Sequence, residues 1–365
     1  MTMNLDSAVR RAAQRDATSP HCTVSVVVPC LNEVGSIEQL LDAVREQDYP
    51  LHEVIVVDCG STDGTLDILQ RYQREHASFP LTFTVLPRGT IPKGLNAGIR
   101  SATGEVIVRL DAHSRPIDTY IRLSVETLMQ TGAGVAGGVW QIAPGVAGTA
   151  AKAITCAVAH PLGAGDAAYR IGPSTPGRTP VDTVPYGCFR RSTWEKIGGY
   201  NEKLQTNEDY EFNYRVRLGG QAVVLDSNIR CTYIARSNLK DLAAQYFRYG
   251  WWKAKMLKRH PRSLRLRQAI PVGFVAVLVI LAAASICIKW APWMLASILL
   301  LYGLVLLAVS VRISKKAGNW GMLPILPAVF STVHFSWGTG MLVNLIMFSR
   351  WPKWRYRTED HEDRK

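Results

Sequence analysis

Short apolar runs alternate with amphipathic segments between residues 24 and 111. Residues 36–47 and 66–75 carry the apolar spacing of helices that cover a sheet, and Ser36 is a candidate N-cap. The other runs are rich in β-branched residues, as is typical of strands buried in a parallel sheet; they are VSVVVP (24–29), EVIVVD (53–58), LTFTVL (81–86) and EVIVRLD (105–111). The alternation predicts an α/β fold with a Rossmann-like sheet whose ligand lies at the carboxyl ends of the strands.

Three long apolar segments follow in the last third of the chain. Residues 269–288 and 290–311 are uncharged runs of 20 and 22 residues, and as helices both can cross a hydrocarbon layer of about 30 Å. Lys289 alone separates them, which predicts a helical hairpin that turns at Lys289, Trp290 and Pro292. Segment 319–349 is too long for a simple crossing. We expect it to be broken, because it contains Pro324, Pro327, Gly338 and Gly340. We expect it to be re-entrant or double-dipping, because the basic and aromatic tail that follows is typical of a cytoplasmic interfacial anchor.

The net charge of +13 is concentrated in one part of the chain. Residues 1–235 hold 22 Lys and Arg against 24 Asp and Glu, whereas residues 236–365 hold 20 against 5. A polybasic stretch directly before an apolar run is attracted to anionic lipid and marks a cytoplasmic face. The basic residues Arg312, Lys315 and Lys316 are expected in a loop on the same side. Charge therefore favours a membrane surface over nucleic acid as the partner.

Cysteine usage and composition exclude several other classes. The seven cysteines are odd in number and contain no C-x-x-C pair, so neither a disulfide framework nor a zinc ribbon is indicated. A content of 47% hydrophobic residues excludes a disordered or collagen-like chain. Residues 1–22 lack an apolar core, so we expect a polar leader without a signal peptide.

Two aspartates stand at predicted strand ends. Asp58 and Asp111 each follow a buried run, and parallel strands would bring them to one crevice. In an extended chain His113 would project to the same side as Asp111, so the two could share a divalent cation with diphosphate oxygens. The alternative for each aspartate is an ordinary turn or cap residue.

Seven motifs in order resemble the family 2 glycosyltransferases, inverting enzymes of the GT-A fold that use nucleotide sugars. The resemblance covers Val24 to Lys258 and is greatest to the membrane-anchored exopolysaccharide type, typified by succinoglycan β-glucosyltransferases. The motifs are VSVVVPCLNE, VIVVDCGSTDGT, PKGLNAGI, VRLDAH, GCFRR with GGYNE, NEDYEF and QYFRYGWWK.

The resemblance implies roles at the donor side. Asp58 would accept a hydrogen bond from the uracil imide, and Cys59 departs from the family's frequent second aspartate. Lys93 and Gly94 would meet the diphosphate or the donor sugar. The residues implied to line the nucleotide pocket are Pro29, Asn32 and Glu33, and those implied to shape the turn below it are Gly60, Ser61 and Asp63.

The resemblance also implies a metal site and a catalytic base. Asp111 and His113 replace the common Asp-x-Asp and would bind Mn²⁺ or Mg²⁺, with the imidazole tilting the balance towards Mn²⁺; the alternative for His113 is a local loop contact. Glu208 and Asp209 match the acidic pair, with Asp209 as the base that deprotonates the acceptor hydroxyl. Without the resemblance, this acidic string would be interpreted as a capped helix start.

A helix before the membrane segments carries a further motif. Gln245 and Arg248 match positions one and four of Gln-x-x-Arg-Trp, where the arginine meets diphosphate, and Tyr249 replaces the tryptophan. The alternative is an amphipathic interfacial helix, 239–257, whose aromatic residues and lysines lie on lipid headgroups.

The expected protein is a cytoplasm-facing, multi-pass enzyme of the inner membrane. It would transfer a hexose, glucose from UDP-glucose, to a polyprenyl-diphosphate-linked glycan for extracellular polysaccharide, with polysaccharide-assembly proteins as candidate partners. The alternatives are a processive synthase and a non-catalytic subunit that binds nucleotide sugars. The expected parts are the leader (1–22), the GT-A domain (23–235), a polybasic interfacial helix region (236–268), the transmembrane region (269–349) and a charged tail (350–365), whose basic and aromatic residues suggest an interfacial anchor.

Overall fold

A computed structural model describes residues 22–348. The predictions for the leader as far as residue 21 and for the tail (350–365) fall outside the described residues. The strands are β1 (Val24–Cys30), β2 (Glu53–Asp58), β3 (Leu81–Val85), β4 (Val106–Arg109), β5 (Arg115–Pro116), β6 (Val135–Pro144), β7 (Arg178–Pro180), β8 (Cys188–Arg190) and β9 (Val223–Ala235).

Helices connect the strands and continue beyond them. The helices are α1 (Ile37–Arg45), α2 (Thr65–Glu75), α3 (Ile91–Ser101), α4 (Tyr120–Thr131), α5 (Thr149–Val158), α6 (Pro161–Ala164), α7 (Ala168–Ile171), α8 (Arg191–Ile197), α9 (Glu208–Leu218), α10 (Leu239–Arg259), α11 (Leu266–Ala284), α12 (Ala291–Lys316) and α13 (Leu326–Phe348). Single 3₁₀ turns precede α11 and α13, at Pro261–Ser263 and Trp320–Met322.

The strands form one mixed sheet in the order β3-β2-β1-β4-β8-β6-β9-β5, with β7 paired to β9. β1 runs parallel to both β2 and β4, and β2 runs parallel to β3. This confirms the predicted α/β arrangement. The carboxyl ends of β1, β2 and β4 therefore meet at one edge, where a ligand site is expected in such sheets.

Alternate residues of β1 enter two cores because side chains point to opposite faces of a strand. Val26 and Val28 pack with one core, which includes Leu41 of α1 and Leu69 of α2. Val27 packs with the other, which includes residues of α3 and α9. Helices on both faces explain why these strands are continuous apolar runs.

The chain forms two compact units. One comprises the chain up to Ala143 together with Ala167–Ile234, and the other comprises Pro144–Asp166 together with the chain from Ala235 onward. The first unit differs from the expected domain of residues 23–235 in one segment. Residues 144–166, which include α5, group with the C-terminal helices instead. The buried face of α5 includes Ala153 and Ile154, and it packs against α13 within the second unit.

Among the described residues, α11 and α12 are the two helices long and apolar enough to cross a membrane. The predicted hairpin is displaced: α11 begins at Leu266 and the turn spans 285–290. Arg312, Lys315 and Lys316, predicted in a loop, belong to the last turns of α12 instead. Nothing in this sequence breaks the helix where the apolar run ends, so it continues to Lys316.

The third apolar segment is broken only near its start. A 3₁₀ turn ends at Met322, and α13 then runs unbroken from Leu326 to Phe348. The prediction that Gly338 and Gly340 interrupt the helix is wrong. Both serve close packing, since a Cβ at Gly340 would lie 2.2 Å from the Phe247 carbonyl oxygen on α10.

All seven cysteines are free thiols, as the absence of paired spacing predicts. Four are buried in the sheet unit, and Cys287, in the turn between α11 and α12, is exposed.

Candidate active site

Two turns at the carboxyl ends of β1 and β2 are bonded to each other. The Asn32 amide donates to Ser61 Oγ at 2.8 Å, and the Asn32 side-chain oxygen accepts from the Thr62 amide at 2.9 Å. Asp63 accepts from the Val34 amide at 3.0 Å. These bonds fix two loops that have no regular structure of their own, and they leave Asn32 and Asp63 at the exposed edge of the sheet.

Asp58 shapes the second turn from within. Its Oδ1 accepts from the Gly60 and Ser61 amides at 2.9 Å each, and its Oδ2 accepts from the Cys30 thiol at 3.6 Å. The residue is fully buried. Both carboxylate oxygens are therefore bonded within the protein, and a direct bond from a uracil ring to Asp58 stays a prediction. Gly60 and Ser61 lie in this turn, and their role beneath a nucleotide stays a prediction.

Cys59 and Gly94 face inward, where α3 crosses β2. A Cβ on Gly94 would lie 2.8 Å from Cys59 Sγ and 3.4 Å from Pro29 Cβ, so only glycine permits this approach. Burial and the charge of Asp58 raise the pKa of Cys59 to about 11. The cysteine therefore replaces the family's aspartate in a packing position, and Pro29 is buried beside it. Lys93, on the same helix, is exposed, as a ligand for phosphate should be.

Asp111 and His113 lie in a turn rather than in an extended strand. β4 ends at Arg109, and the Ser114 amide donates to the Asp111 carbonyl at 2.8 Å, which closes a β-turn. The predicted extended geometry is therefore wrong. His113 is exposed, and its Nδ1 lies 2.9 Å from Glu33 Oε1, so Glu33 orients the imidazole.

The donor atoms suit a divalent cation that is completed by its substrate. Asp111 supplies a carboxylate that is partly exposed, and His113 supplies an imidazole, which are ligands that Mn²⁺ accepts. Within residues 22–348 no group of three or more His, Cys, Asp or Glu side chains could hold a metal ion. A cation here would need further ligands, and diphosphate oxygens are of the right kind.

Arg109, a residue that the motif analysis did not single out, links this turn to α9. Its Nη2 donates to Asp111 Oδ1 at 2.9 Å and to Glu208 Oε1 at 2.8 Å. The Arg109 side chain is only 4% exposed. The signal available in the sequence was a lone cation in the apolar run VIVRLD, since a buried arginine requires paired carboxylates.

Glu208 and Asp209 form the first turn of α9, which confirms the helix start but not a side-chain cap by Asn207. Glu208 is buried, and burial raises its pKa to about 7 although Arg109 lowers it. Asp209 is partly exposed. Burial of its carboxyl raises its pKa too, against the lowering effects of Arg109 and the Tyr210 amide. A partly exposed carboxylate with a raised pKa has the properties of a general base.

Comparison with known proteins identifies the family. A model described as Glycosyl transferase family 2 matches residues 25–197. The Glycosyltransferase AglE of Haloferax volcanii is 32% identical over 258 residues, which cover 69% of this chain and 81% of the relative. The chain belongs to glycosyl transferase family 2.

A longer match supports this membership. The succinoglycan biosynthesis protein ExoA of Rhizobium meliloti is 29% identical to this family 2 chain over 331 residues, which cover 89% of the chain and 96% of the relative. The mannosyltransferase PcManGT of Pyrobaculum calidifontis, solved with GDP-Man and Mn²⁺, superposes with a TM-score of 0.56 at 20% identity and covers 94% of each chain. The expected GT-A fold is thereby confirmed.

The remaining predicted residues of this glycosyltransferase lie in the second unit. Gln245 is buried on α10 and donates to the Tyr249 hydroxyl at 3.1 Å, while Arg248 is exposed. The predicted amphipathic helix is present and extends to Arg259. A role for Gln245 and Arg248 at a diphosphate stays a prediction.

Proposed function

We propose that this family 2 enzyme is an inverting, membrane-anchored transferase that moves a hexose from a UDP-sugar, with glucose the first candidate, to a lipid-linked glycan. The observation that carries the proposal is the arrangement at the sheet edge. Asp111 beside the turns of β1 and β2 is connected through Arg109 to Glu208, next to Asp209. A single displacement at the anomeric carbon requires two parts: a site that binds the sugar donor and a base that deprotonates the acceptor hydroxyl.

The donor side is built from the sheet edge. Asp111 and His113 would hold Mn²⁺ or Mg²⁺, which when bound supplies positive charge that stabilises a diphosphate leaving group. Exposed Lys93 adds a second positive charge near the start of α3. Asn32 and Ser61, at the bonded turns, are candidates to position the nucleoside.

The acceptor side depends on Asp209. Inversion requires a hydroxyl oxygen to attack the anomeric carbon from the face opposite the leaving diphosphate. A carboxylate within hydrogen-bond reach removes the hydroxyl proton in the transition state. Because Glu208 is bound to Arg109 and buried, Asp209 is the better placed of the two to meet a substrate.

The anchor supports an acceptor in the membrane. Only 22% and 11% of the apolar windows of α11 and α12 are buried within the protein, so both helices offer apolar surface to lipid. The basic residues between 236 and 267 support a cytoplasmic position of the catalytic unit. The role that the name of ExoA gives to that relative, succinoglycan biosynthesis, supports a polysaccharide intermediate as the acceptor.

Asp209→Asn tests the proposed base. Wild-type membranes should release UDP from one UDP-sugar in the presence of Mn²⁺ and lipid extract, and a chelator should stop the release. Asp209→Asn should lower kcat by about 10²- to 10⁴-fold, because no group then takes the proton. UDP affinity should change by less than about threefold, since the base acts on the acceptor.

Asp48→Asn is the control, because Asp48 forms a surface ion pair with Arg122 and should leave both quantities unchanged. Substantial turnover by Asp209→Asn would contradict the base assignment. A ladder of products in place of one added sugar would favour a processive synthase, and tight UDP binding without turnover would favour a non-catalytic subunit.

A further inference from the structure

Arg109 is held rigidly at the end of β4. Its amide donates to the Gly187 carbonyl at 3.1 Å, and its Cα pairs in register with Val27 of β1. The guanidinium lies 5.7 Å from the centre of the Tyr200 ring. A side chain fixed from the backbone to its tip can set the positions of the groups bonded to it.

The two carboxylates bonded to Arg109 share one nitrogen. Nη2 donates to both Asp111 and Glu208, whereas Nε adds a second bond to Asp111 at 3.2 Å. Asp111 belongs to the proposed donor side, and Glu208 precedes the proposed base. Any change in the charge of one carboxylate therefore alters how strongly the guanidinium holds the other.

One donor of Arg109 has no partner. Nη1 is buried without a hydrogen-bond acceptor among the described residues. A buried donor left unpaired costs free energy. An oxygen atom brought by a substrate is the kind of acceptor that would satisfy it.

We propose that Arg109 is a positioning residue that couples the donor-side carboxylate Asp111 to the acidic pair at the start of α9. This inference rests on the proposed function and adds a connection between its two sides. The arginine acts through the carboxylates. The planar guanidinium of arginine is needed because its donors have a fixed geometry that can bond two carboxylates at once. A lysine ammonium is a compact point charge without that geometry.

A binding cycle tests the coupling without turnover. UDP affinity in saturating Mn²⁺ is measured for full-length wild type, Glu208→Gln, Arg109→Met and the double variant. With Arg109 present, Glu208→Gln should weaken Mn²⁺-supported UDP binding by about fivefold or more, because the guanidinium is then held by Asp111 alone. With Arg109→Met the same change should have little effect, because no guanidinium then connects Glu208 to Asp111.

If Arg109→Met does not fold, Arg109→Lys replaces it in the binding cycle. It retains a positive charge, so the effect of Glu208→Gln on UDP affinity should persist but fall by at least about twofold relative to wild type. Equal effects of Glu208→Gln with and without Arg109, or no effect in either, would overturn the coupling.

Kinetics separate positioning from a purely structural role. Arg109→Lys should lower kcat by about tenfold or more and raise donor KM by a smaller factor. The matched control is Arg215→Lys, since Arg215 forms a partly buried ion pair with Glu211 at 2.7 Å, on the same helix as Glu208. It should lower the Tm to a similar degree and leave kcat within about twofold.

The two hypotheses fail in different ways. If the wild type transfers sugar from no donor, the proposed function fails, and the binding cycle still decides whether Arg109 couples the two sides. If Arg109→Lys and Arg215→Lys lose activity equally and in proportion to their Tm values, the positioning role is wrong even though transfer occurs.

Discussion

Asp209 and Glu208 are adjacent carboxyl groups whose surroundings oppose ionisation. Burial raises the pKa of both, and the charge of Asp111 raises both further. Arg109 is the cation that lowers both. Protonation of this pair is therefore expected at a pH where ordinary surface carboxyls remain charged.

The pH dependence of transfer should reflect these raised pKa values. Asp209 must be ionised to act as the base, so activity is present above its pKa and is lost as the pH falls through it. We expect kcat/KM to fall on the acid side with an apparent pKa above the ordinary value near 4, and by about tenfold per pH unit below it.

Glu208→Gln tests which group titrates, because it removes the neighbouring carboxylate and should move the acid limb. An acid limb near pH 4 in the wild type would contradict the raised pKa. A limb that Glu208→Gln leaves in place would show that Glu208 does not set the titration.

At the residue scale, the sequence predicted which residues lie at the site more accurately than it predicted the contacts that each residue makes. Asp58, Asp111, Glu208 and Asp209 do lie at the sheet edge or at the start of α9. The inward orientation of Asp58 depends on bonds to the next turn, which residue type does not encode. Arg109 could have been found, because its charge inside an apolar run requires partners.

At the scale of elements, α10 and α13 pack with almost no side-chain volume between their backbones. A Cβ at Gly250 would lie 2.2 Å from the Trp337 carbonyl oxygen, and the same distance separates a Cβ at Gly340 from the Phe247 carbonyl oxygen. Small residues at a crossing let two helices approach closely.

Alanine substitution at these glycines should weaken the helix pair. Gly250→Ala and Gly340→Ala should each lower the free energy of unfolding by about 1–3 kcal/mol, because backbone atoms must move apart. Thermal unfolding in detergent measures the effect. Gly303→Ala on α12 is the control: no atom lies within 4 Å of its Cβ, so alanine should be neutral or stabilising. Equal Tm values for all three variants would contradict the close crossing.

Element boundaries followed from the sequence where local patterns determine them. The strands β1 to β4 were predicted from apolar runs, and each was found within two residues of its predicted ends. The continuity of α13 was not predictable in this way. Glycine lowers helix propensity, but at Gly338 and Gly340 the close approach of neighbouring helices outweighs it.

At the scale of the whole molecule, family membership and fold were accessible from motif order and strand pattern. The division into units was not. Residues 144–166 group with the chain from Ala235 onward. Such a grouping arises from packing between distant segments, which periodicity within a segment does not report.

The exposed thiol in the turn between α11 and α12 provides a natural reporter of membrane topology. If the two helices cross the bilayer as a hairpin, Cys287 lies on the side opposite the catalytic unit, and a membrane-impermeant maleimide should modify it in intact cells. Burial raises the pKa of Cys59 to about 11 and that of Cys231 to about 12, so these thiols should react slowly. Cys287→Ser should abolish the modification. Labelling of Cys287 only in inverted vesicles would show that the turn never reaches the outer surface.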